Sequence, residues 1–384
     1  MRSALKRRLR VARGLWRAGI LRPMRPDKLP RSLMILRRWG LTPAGAHHLG
    51  AIRHPRRAAI VDDLGALTFA EVQRRTNALA RALRASGVAE RGTVAIMCRN
   101  HRGFVEATVA CRKLGAAILY LDTTLEHWQV TEAITRADAA AVIHDEEFAQ
   151  LVREGSAGRL RFIAWCDGDQ KQRPLMLEEL IAGAEDCALG SPRQRAPAVS
   201  IASADNSEDQ LRIRRGQSSL MSPAPLLSEL PLRAGETTIL AAPMCHPWGF
   251  VQMKLALRLG STLVLRREFE PEQTLDDVGQ HSASALAVLP EMLQAIVDVR
   301  QGAVSTHRTA CLRVIAVYGA TLPGRLAIPA IEAFGTVLYN LYGPPVVQLA
   351  DYLGRERRAA VRVHAGIRER SRSDQYVARR VRRA

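Results

Sequence analysis

His246 stands between Cys245 and Pro247 at the end of an apolar run, and Trp248 and Phe250 follow within the next turn's length of chain. An imidazole in that setting either meets a ligand or has its ring nitrogens tied to its own backbone, and composition leaves both readings open. Gly319 and Ala320 come just after the apolar stretch 312–317. Small residues at the C-terminal end of a buried strand let a flat ligand approach the backbone. Tyr342 and Gly343 follow the stretch 337–341 in the same kind of place. There a phenol ring stacks on a flat heterocycle or, as the plain alternative, is a buried aromatic with its hydroxyl tied off.

Residues of this kind need strand ends to hold them, and the chain supplies strands in alternation with helices. Thr68-Phe69-Ala70-Glu71 has the form of a capping box, opening a helix that carries Val72, Leu79 and Leu83 and that Gly87 ends. Apolar runs predict strands over 93–98, 116–121, 139–144 and 160–165, with helices over 104–114, 126–137 and 175–182. The Pro- and Arg-containing segment 191–197 breaks the rhythm. Beyond it, strands are predicted over 237–242, 261–265, 285–289, 312–317 and 337–341, and helices over 250–259, 291–299 and 324–334. Alternation at this spacing implies an α/β fold of parallel sheets with helices on their faces. The expected organisation is a basic extension over 1–40, α/β subdomains over 41–197 and 198–350, and a tail over 351–384 without sustained period.

The 384 residues are 47% apolar and 24% charged, which excludes wholesale disorder. The net charge of +19 belongs to the two ends. Residues 1–40 hold 13 Lys and Arg against Asp27, and residues 353–384 hold 11 Arg against Glu356, Glu369 and Asp374, so the body between is close to neutral. Nucleic-acid binding through the Arg-rich ends ranks last, because no aromatics interleave with the charge and no readout motif is present. Leu5, Leu9, Ala12, Trp16 and Ile20 form an apolar stripe bordered by basic residues, which predicts an amphipathic helix over 5–20 ending before Pro23. Such a helix lies on an anionic membrane surface or packs on its own domain. The basic residues that interrupt 1–25 leave no apolar leader, and the uncharged run 237–253 is too short and too Pro-containing to span a bilayer. The expectation is a cytoplasmic protein with a second option of peripheral membrane attachment. Cys98, Cys111, Cys166, Cys187, Cys245 and Cys311 show no C-x-x-C pair and no histidine at metal spacing, and are read as reduced core residues.

Three segments carry a resemblance. "LTFAEVQRRTNALARALRASGVAERGTVAIMCRN" followed by "ATVACRKLGAAILYLDTT", then "AAPMCHPWGF", then "YGATLPG" with "AFGTVLYNLYG", resemble in order the acyl-adenylating superfamily and in particular the fatty-acid CoA ligases. The resemblance spans roughly residues 50–350 and implies two stacked parallel-sheet subdomains. It implies that His246, Trp248 and Phe250 bind the acyl substrate and that Gly319, Ala320, Tyr342 and Gly343 bind the nucleotide. The cofactors implied are ATP or AMP and coenzyme A, with a fatty acid or other carboxylate as partner.

The family's chemistry joins a carboxylate to AMP, expels pyrophosphate and passes the acyl group to a thiol. Phosphoryl charge then needs cations and backbone N–H groups. The family supplies a Gly-rich loop ending Pro-Lys-Gly, a Thr and a Mg²⁺-holding Glu after the Tyr-Gly pair, and a C-terminal domain with a reaching Lys. Here residues 204–216 read "ADNSEDQLRIRRG", Tyr342-Gly343 is followed by Pro344, Pro345 and Val346, and no lysine follows Lys254. The 34 residues after Ala350 are too few for the small domain, which is expected to be missing. A shift of reading frame accounts for such a pattern, since codons for Asp205 to Asp209 read one nucleotide out of phase permit Thr-Thr-Pro-Lys. The expectation is an acyl-CoA synthetase homologue with impaired or absent catalysis, no metal ligands, and no catalytic residue in place; the alternative is a non-catalytic acyl- or nucleotide-binding module with membrane-associating basic ends.

Overall fold

The computed structural model describes residues 16, 18–19, 26–40, 42–167, 176–190, 199–202, 211–213, 227, 230–302, 309–318, 322–341 and 360–362. Among the residues described from 26 onward, two α-helices precede the first strand. α1 (Leu29–Trp39) ends at Gly40, whose φ of 60° is open to glycine, and α2 (Pro43–Arg53) starts where the Thr42 hydroxyl accepts the Gly45 N–H. β1 (Ala58–Asp62) and β2 (Gly65–Thr68) form an antiparallel hairpin. The capping box is formed as predicted at the start of α3 (Phe69–Ala85): the Thr68 hydroxyl accepts the Glu71 N–H at 3.2 Å, and the Glu71 carboxylate accepts the Thr68 N–H at 2.7 Å.

The alternation then runs β3 (Thr93–Met97), α4 (Arg102–Leu114), β4 (Ala117–Leu121), α5 (His127–Arg136), β5 (Ala139–Asp145), α6 (Ala149–Arg153), β6 (Leu160–Trp165), α7 (Leu177–Ala182), β7 (Val199–Ala202) and β8 (Leu211–Ile213). It resumes with β9 (Thr237–Leu240), α8 (Pro247–Leu259), β10 (Thr262–Val264), α9 (Pro271–Gln280), β11 (Ala285–Val288), α10 (Pro290–Gly302), β12 (Val314–Tyr318), α11 (Gly324–Phe334), β13 (Leu338–Leu341) and β14 (Ala360–Arg362).

The chain divides into two compact units, each discontinuous in sequence. One holds residues 23–219 and takes the chain back for 243–268. Its six-stranded sheet has the order β6-β5-β3-β4-β7-β8, parallel throughout except for β8. Apart from that sheet, β1 pairs with β10 in parallel and with β2 antiparallel. Ile96 sits opposite both Tyr120 and Ile143. The central strands are buried on both faces, which is why they read as unbroken apolar runs. One face packs Met97, Leu119 and Leu121 against Val130 and Ile134 of α5. Elsewhere the Phe104 and Tyr120 rings stack at 5.1 Å, and the Tyr120 hydroxyl and the Thr108 hydroxyl share a 2.9 Å hydrogen bond. The other unit holds residues 1–22, 220–242 and 269–384, with strand order β14-β13-β12-β11-β9, parallel except for β14.

The fold class is the α/β, parallel-sheet class expected, with element ends displaced by one to a few residues. α1, α2, α6, α9, the β1–β2 hairpin, β7, β8 and β14 have no counterpart among the expected elements. α2 is the instructive case: two glycines weaken its helical pattern, yet at Gly50 a Cβ would stand 2.6 Å from the Phe69 ring. Close packing on Phe69 requires the residue that lowers the local helical signal. Of the helix predicted over 5–20, only Trp16, Ala18 and Gly19 belong to the described residues. Among the described residues no helix is long and apolar enough to cross a membrane.

Candidate functional site

α8 begins at His246, whose Nδ1 accepts the Trp248 N–H at 3.2 Å, with Pro247 in the first turn where its missing N–H costs nothing. This capping bond uses the Nδ1 lone pair and places the proton of the neutral ring on Nε2. The Met244 N–H donates to the Asn100 side-chain oxygen at 2.8 Å, fastening the entry to α8 to the segment between β3 and α4. Trp248 is fully buried, and so is Phe250, whose ring lies 5.0 Å from that of Tyr120. Lys254 holds its ammonium 5.1 Å above the Phe250 ring, and burial, with Arg258 and Arg112 nearby, lowers its pKa to about 7. Thus His246, Trp248 and Phe250 share the first turn of α8: the first is a half-buried cap, and the other two reach into the packed interior.

Gly319, Ala320, Tyr342 and Gly343 lie outside the described residues. The strands before them are described. β12 and β13 are parallel neighbours, with Val317 opposite Asn340 and Tyr318 opposite Leu341, so their C-terminal ends stand side by side. That is the end of a parallel sheet at which ligands bind. Asn340 is buried, 5% exposed, and its side-chain oxygen has no hydrogen-bond partner among the described residues. A buried amide oxygen without a donor is a costly exception, and its position one residue before the strand ends suits an amine of a flat ligand. Sequence reading passed over Asn340 within "LYNLYG"; its one available signal was a polar residue in an otherwise apolar strand.

Cys98, His101 and Asp145, all buried, bring three potential ligand atoms within 4.8 Å of one another. This corrects the expectation that no cysteine has a histidine at metal-binding distance: β3 ends beside its parallel neighbour β5, and the backbone turns His101 back over that end as the cap of α4. His101 Nδ1 accepts the Gly103 N–H at 3.1 Å, so Nε2 carries the proton and donates it to Asp145 Oδ1 at 2.8 Å. Asp145 Oδ2 accepts the Arg99 N–H at 2.8 Å. Burial and the Asp145 charge raise the Cys98 thiol well above its ordinary pKa. While the cap stands, the imidazole has no lone pair for a cation; the donor set fits a closed structural latch. Gly103 is part of it, since a Cβ there would meet the imidazole at 2.8 Å.

All six cysteines are free; Cys98, Cys111, Cys166 and Cys245 are buried as expected, whereas Cys187 is exposed and Cys311 half-buried, which corrects the reading of all six as core. A surface groove of about 590 Å³ lined by His127, Trp128, Thr131, Glu132, Thr135, Arg136 and Glu154 contains none of the candidate residues. β7 and β8 pair as an antiparallel hairpin, Ile201 opposite Leu211, around the segment 203–210, which is outside the described residues.

The model of the family described as AMP-binding enzyme matches residues 50–201 and 217–347. A feruloyl-CoA synthase of an Amycolatopsis species is 28% identical over 287 residues, covering 73% of this chain and 53% of that protein. A 4-coumarate–CoA ligase of Oryza sativa is 25% identical, covering 60% of this chain and 44% of that protein. The chain therefore spans about half the length of these curated relatives. Among solved structures, an anthranilate CoA ligase in complex with anthranoyl-AMP superposes with a TM-score of 0.70 at 18% identity, covering 85% of this chain and 62% of that one. A putative long-chain-fatty-acid CoA ligase from Rhodopseudomonas palustris does so with a TM-score of 0.68 at 21% identity, covering 80% and 76%. At these identities the superpositions speak for the fold, and the family match carries the assignment: the chain belongs to the AMP-binding enzyme family.

Proposed function

We propose that this chain is a CoA-ligase homologue that retains surfaces for a purine and for an acyl carboxylate but lacks the machinery that handles phosphates. The observation that carries the reading is the break in the family match over 202–216, which takes in the turn and second strand of the paired β7–β8 hairpin. Its residues 204–216 are "ADNSEDQLRIRRG", in place of a Gly-rich loop ending Pro-Lys-Gly. β7 and β8 pair, while residues 204–216 hold neither a glycine-rich run nor a lysine to neutralise phosphoryl charge.

ATP, when bound by an intact member, supplies the adenylyl group that activates the carboxylate. Toward the nucleotide, Asn340 accepts a hydrogen bond from the purine amine, Tyr342 stacks on the ring, and Gly319, Ala320 and Gly343 let it approach the backbone. Toward the acyl group, His246 stands at the head of α8, with Trp248 and Phe250 shaping the apolar wall behind it. Pro344, Pro345 and Val346 offer no carboxylate after the Tyr-Gly pair, so the residues present do not fit Mg²⁺ there and no step is assigned to it. The substrate class is a carboxylic acid. A fatty acid is the reading that the segment around His246 favours, and coenzyme A is the thiol partner in the family.

Calorimetry with AMP, ATP and a fatty acid tests this reading. The expected result is AMP and fatty-acid binding no tighter than micromolar, little gain from ATP or Mg²⁺, and loss of AMP binding in Tyr342→Ala. Tight ATP binding that strictly requires Mg²⁺ would overturn it and point to another phosphate site, such as one built from Arg212, Arg214 and Arg215.

A further inference from the structure

α1 is fastened on one side and unpartnered on the other. Lys28, Ser32, Ile35 and Trp39 recur at spacings of four, three and four, which puts them on one face. Ser32 and Ile35 are buried, and the Lys28 ammonium donates to the Arg53 carbonyl at the end of α2 at 2.9 Å. Leu29, Leu33 and Leu36, spaced four and three, lie outside that face and are 46%, 57% and 38% exposed, with Met34 at 56%. A lone exposed leucine is ordinary; four large apolar side chains open to water within eight residues of one helix make a patch that asks for an occupant.

The charge around the patch selects the occupant. Arg31, Arg37 and Arg38 are exposed on the same helix, and Asp27 is the only acid in the first 40 residues, which hold 13 Lys and Arg. A second copy would bring the same positive charge to the same face and be repelled. An apolar stripe with arginines at its rim suits a bilayer interface of anionic lipid, into which leucines insert while the long basic side chains reach the headgroups. We propose that α1 is an interfacial helix that seats the protein on an anionic lipid surface through Leu29, Leu33, Met34 and Leu36. The sequence-based expectation offered this role, or packing on its own domain, for residues 5–20; the proposal for α1 rests on its exposed leucines and stands apart from that expectation.

Flotation of the full chain with vesicles tests the proposal. Binding is expected to an equal mixture of phosphatidylcholine and phosphatidylserine, to be absent from phosphatidylcholine alone, and to weaken with salt as exposed charge is screened. The triple variant Leu29→Ser, Leu33→Ser, Leu36→Ser keeps every charge and is expected to lose about tenfold or more in partitioning, because the apolar insertion is removed. Leu33→Lys adds a positive charge at one exposed site, so it keeps the fold and yet is expected to bind more weakly. Equal flotation of wild type and both variants would overturn the proposal and leave the attraction to the charged ends alone. Equal binding to neutral vesicles would overturn it as well, and so would a lipid-free dimer that the variants dissociate.

Discussion

The buried polar groups around β3, α4 and β5 differ from those at the ends of β12 and β13. The first region holds closed pairs and networks. The Asp62 carboxylate accepts from the Arg102 backbone N–H at 2.8 Å and from its guanidinium at 2.9 Å. His101 and Asp145 close the latch above, and the Lys113 ammonium donates to the Gln73 carbonyl at 3.2 Å and to the Thr76 hydroxyl and the Asn77 side-chain oxygen at 2.7 Å each. In the second region the Asn340 oxygen is buried and left without a donor among the described residues. Closed networks hold a fold; an open one points at something from outside. Under the proposed function, the Asn340 amide rather than these closed pairs faces the nucleotide.

The largest effect is expected where the closed network contains a full ion pair. Asp62→Ala strands the Arg102 guanidinium, 8% exposed, without its counter-charge. Removing one partner of a buried pair should cost ~3 to 5 kcal/mol, read as a fall in the urea midpoint at unchanged slope. A change within error would show that Arg102 finds another partner and that the network is looser than described.

Next is the latch. His101→Ala removes both the cap of α4 and the donor to Asp145, with an expected loss of ~2 to 3 kcal/mol. Zinc added to the wild-type protein should leave its Tm unchanged, because the ring has no lone pair to offer. A zinc-dependent rise in Tm that His101→Ala abolishes would turn the latch into a metal site.

Acid probes α2. Burial lowers the His47 pKa to about 3 and the His48 pKa to about 4, so both are neutral in the folded state. Unfolded histidines take up protons below about pH 6.5, so the unfolded state binds more protons between that value and the folded pKa, and stability falls as pH falls through that window. For one group with the His47 shift the loss reaches ~2 kcal/mol by pH 5. Chemical denaturation at several pH values should show a shallower decline in His47→Leu; equal slopes would mean that the ring is already open to protons.

The smallest stability effect belongs to the open region. Asn340→Ala removes an unsatisfied group and should change stability by less than ~1 kcal/mol, in either direction. It should nevertheless weaken AMP binding measured by calorimetry. A large destabilisation with unchanged binding would give Asn340 the structural role and erase the contrast between the two regions.

Much of this was legible in the sequence, for reasons the residues make plain. Strands buried on both faces are unbroken apolar runs, and Thr68 with Glu71 encodes its own helix start three residues apart. The Asp62–Arg102 pair was hidden because 40 positions separate its members and only the sheet brings them together. Trp248 and Phe250 are fully buried beside the half-buried His246, a depth that three neighbouring positions in the sequence do not reveal. Return of residues 243–268 to the first unit was hidden too, since the chain crosses without any change in composition. Gly45 and Gly50 obscured α2 because close packing and local helical preference make opposite demands there.

The central claim is that the fold is kept while its phosphate chemistry is lost, and exchange of labelled pyrophosphate into ATP in the presence of a carboxylate tests it most directly. Each missing contact to the developing charge is worth ~3 to 4 kcal/mol by analogy with single oxyanion donors, so losing several should leave nothing measurable. The expected result is no exchange with fatty or aryl acids in a protein whose AMP binding persists. Robust carboxylate-dependent exchange would contradict the account and require phosphate-handling residues elsewhere in the chain.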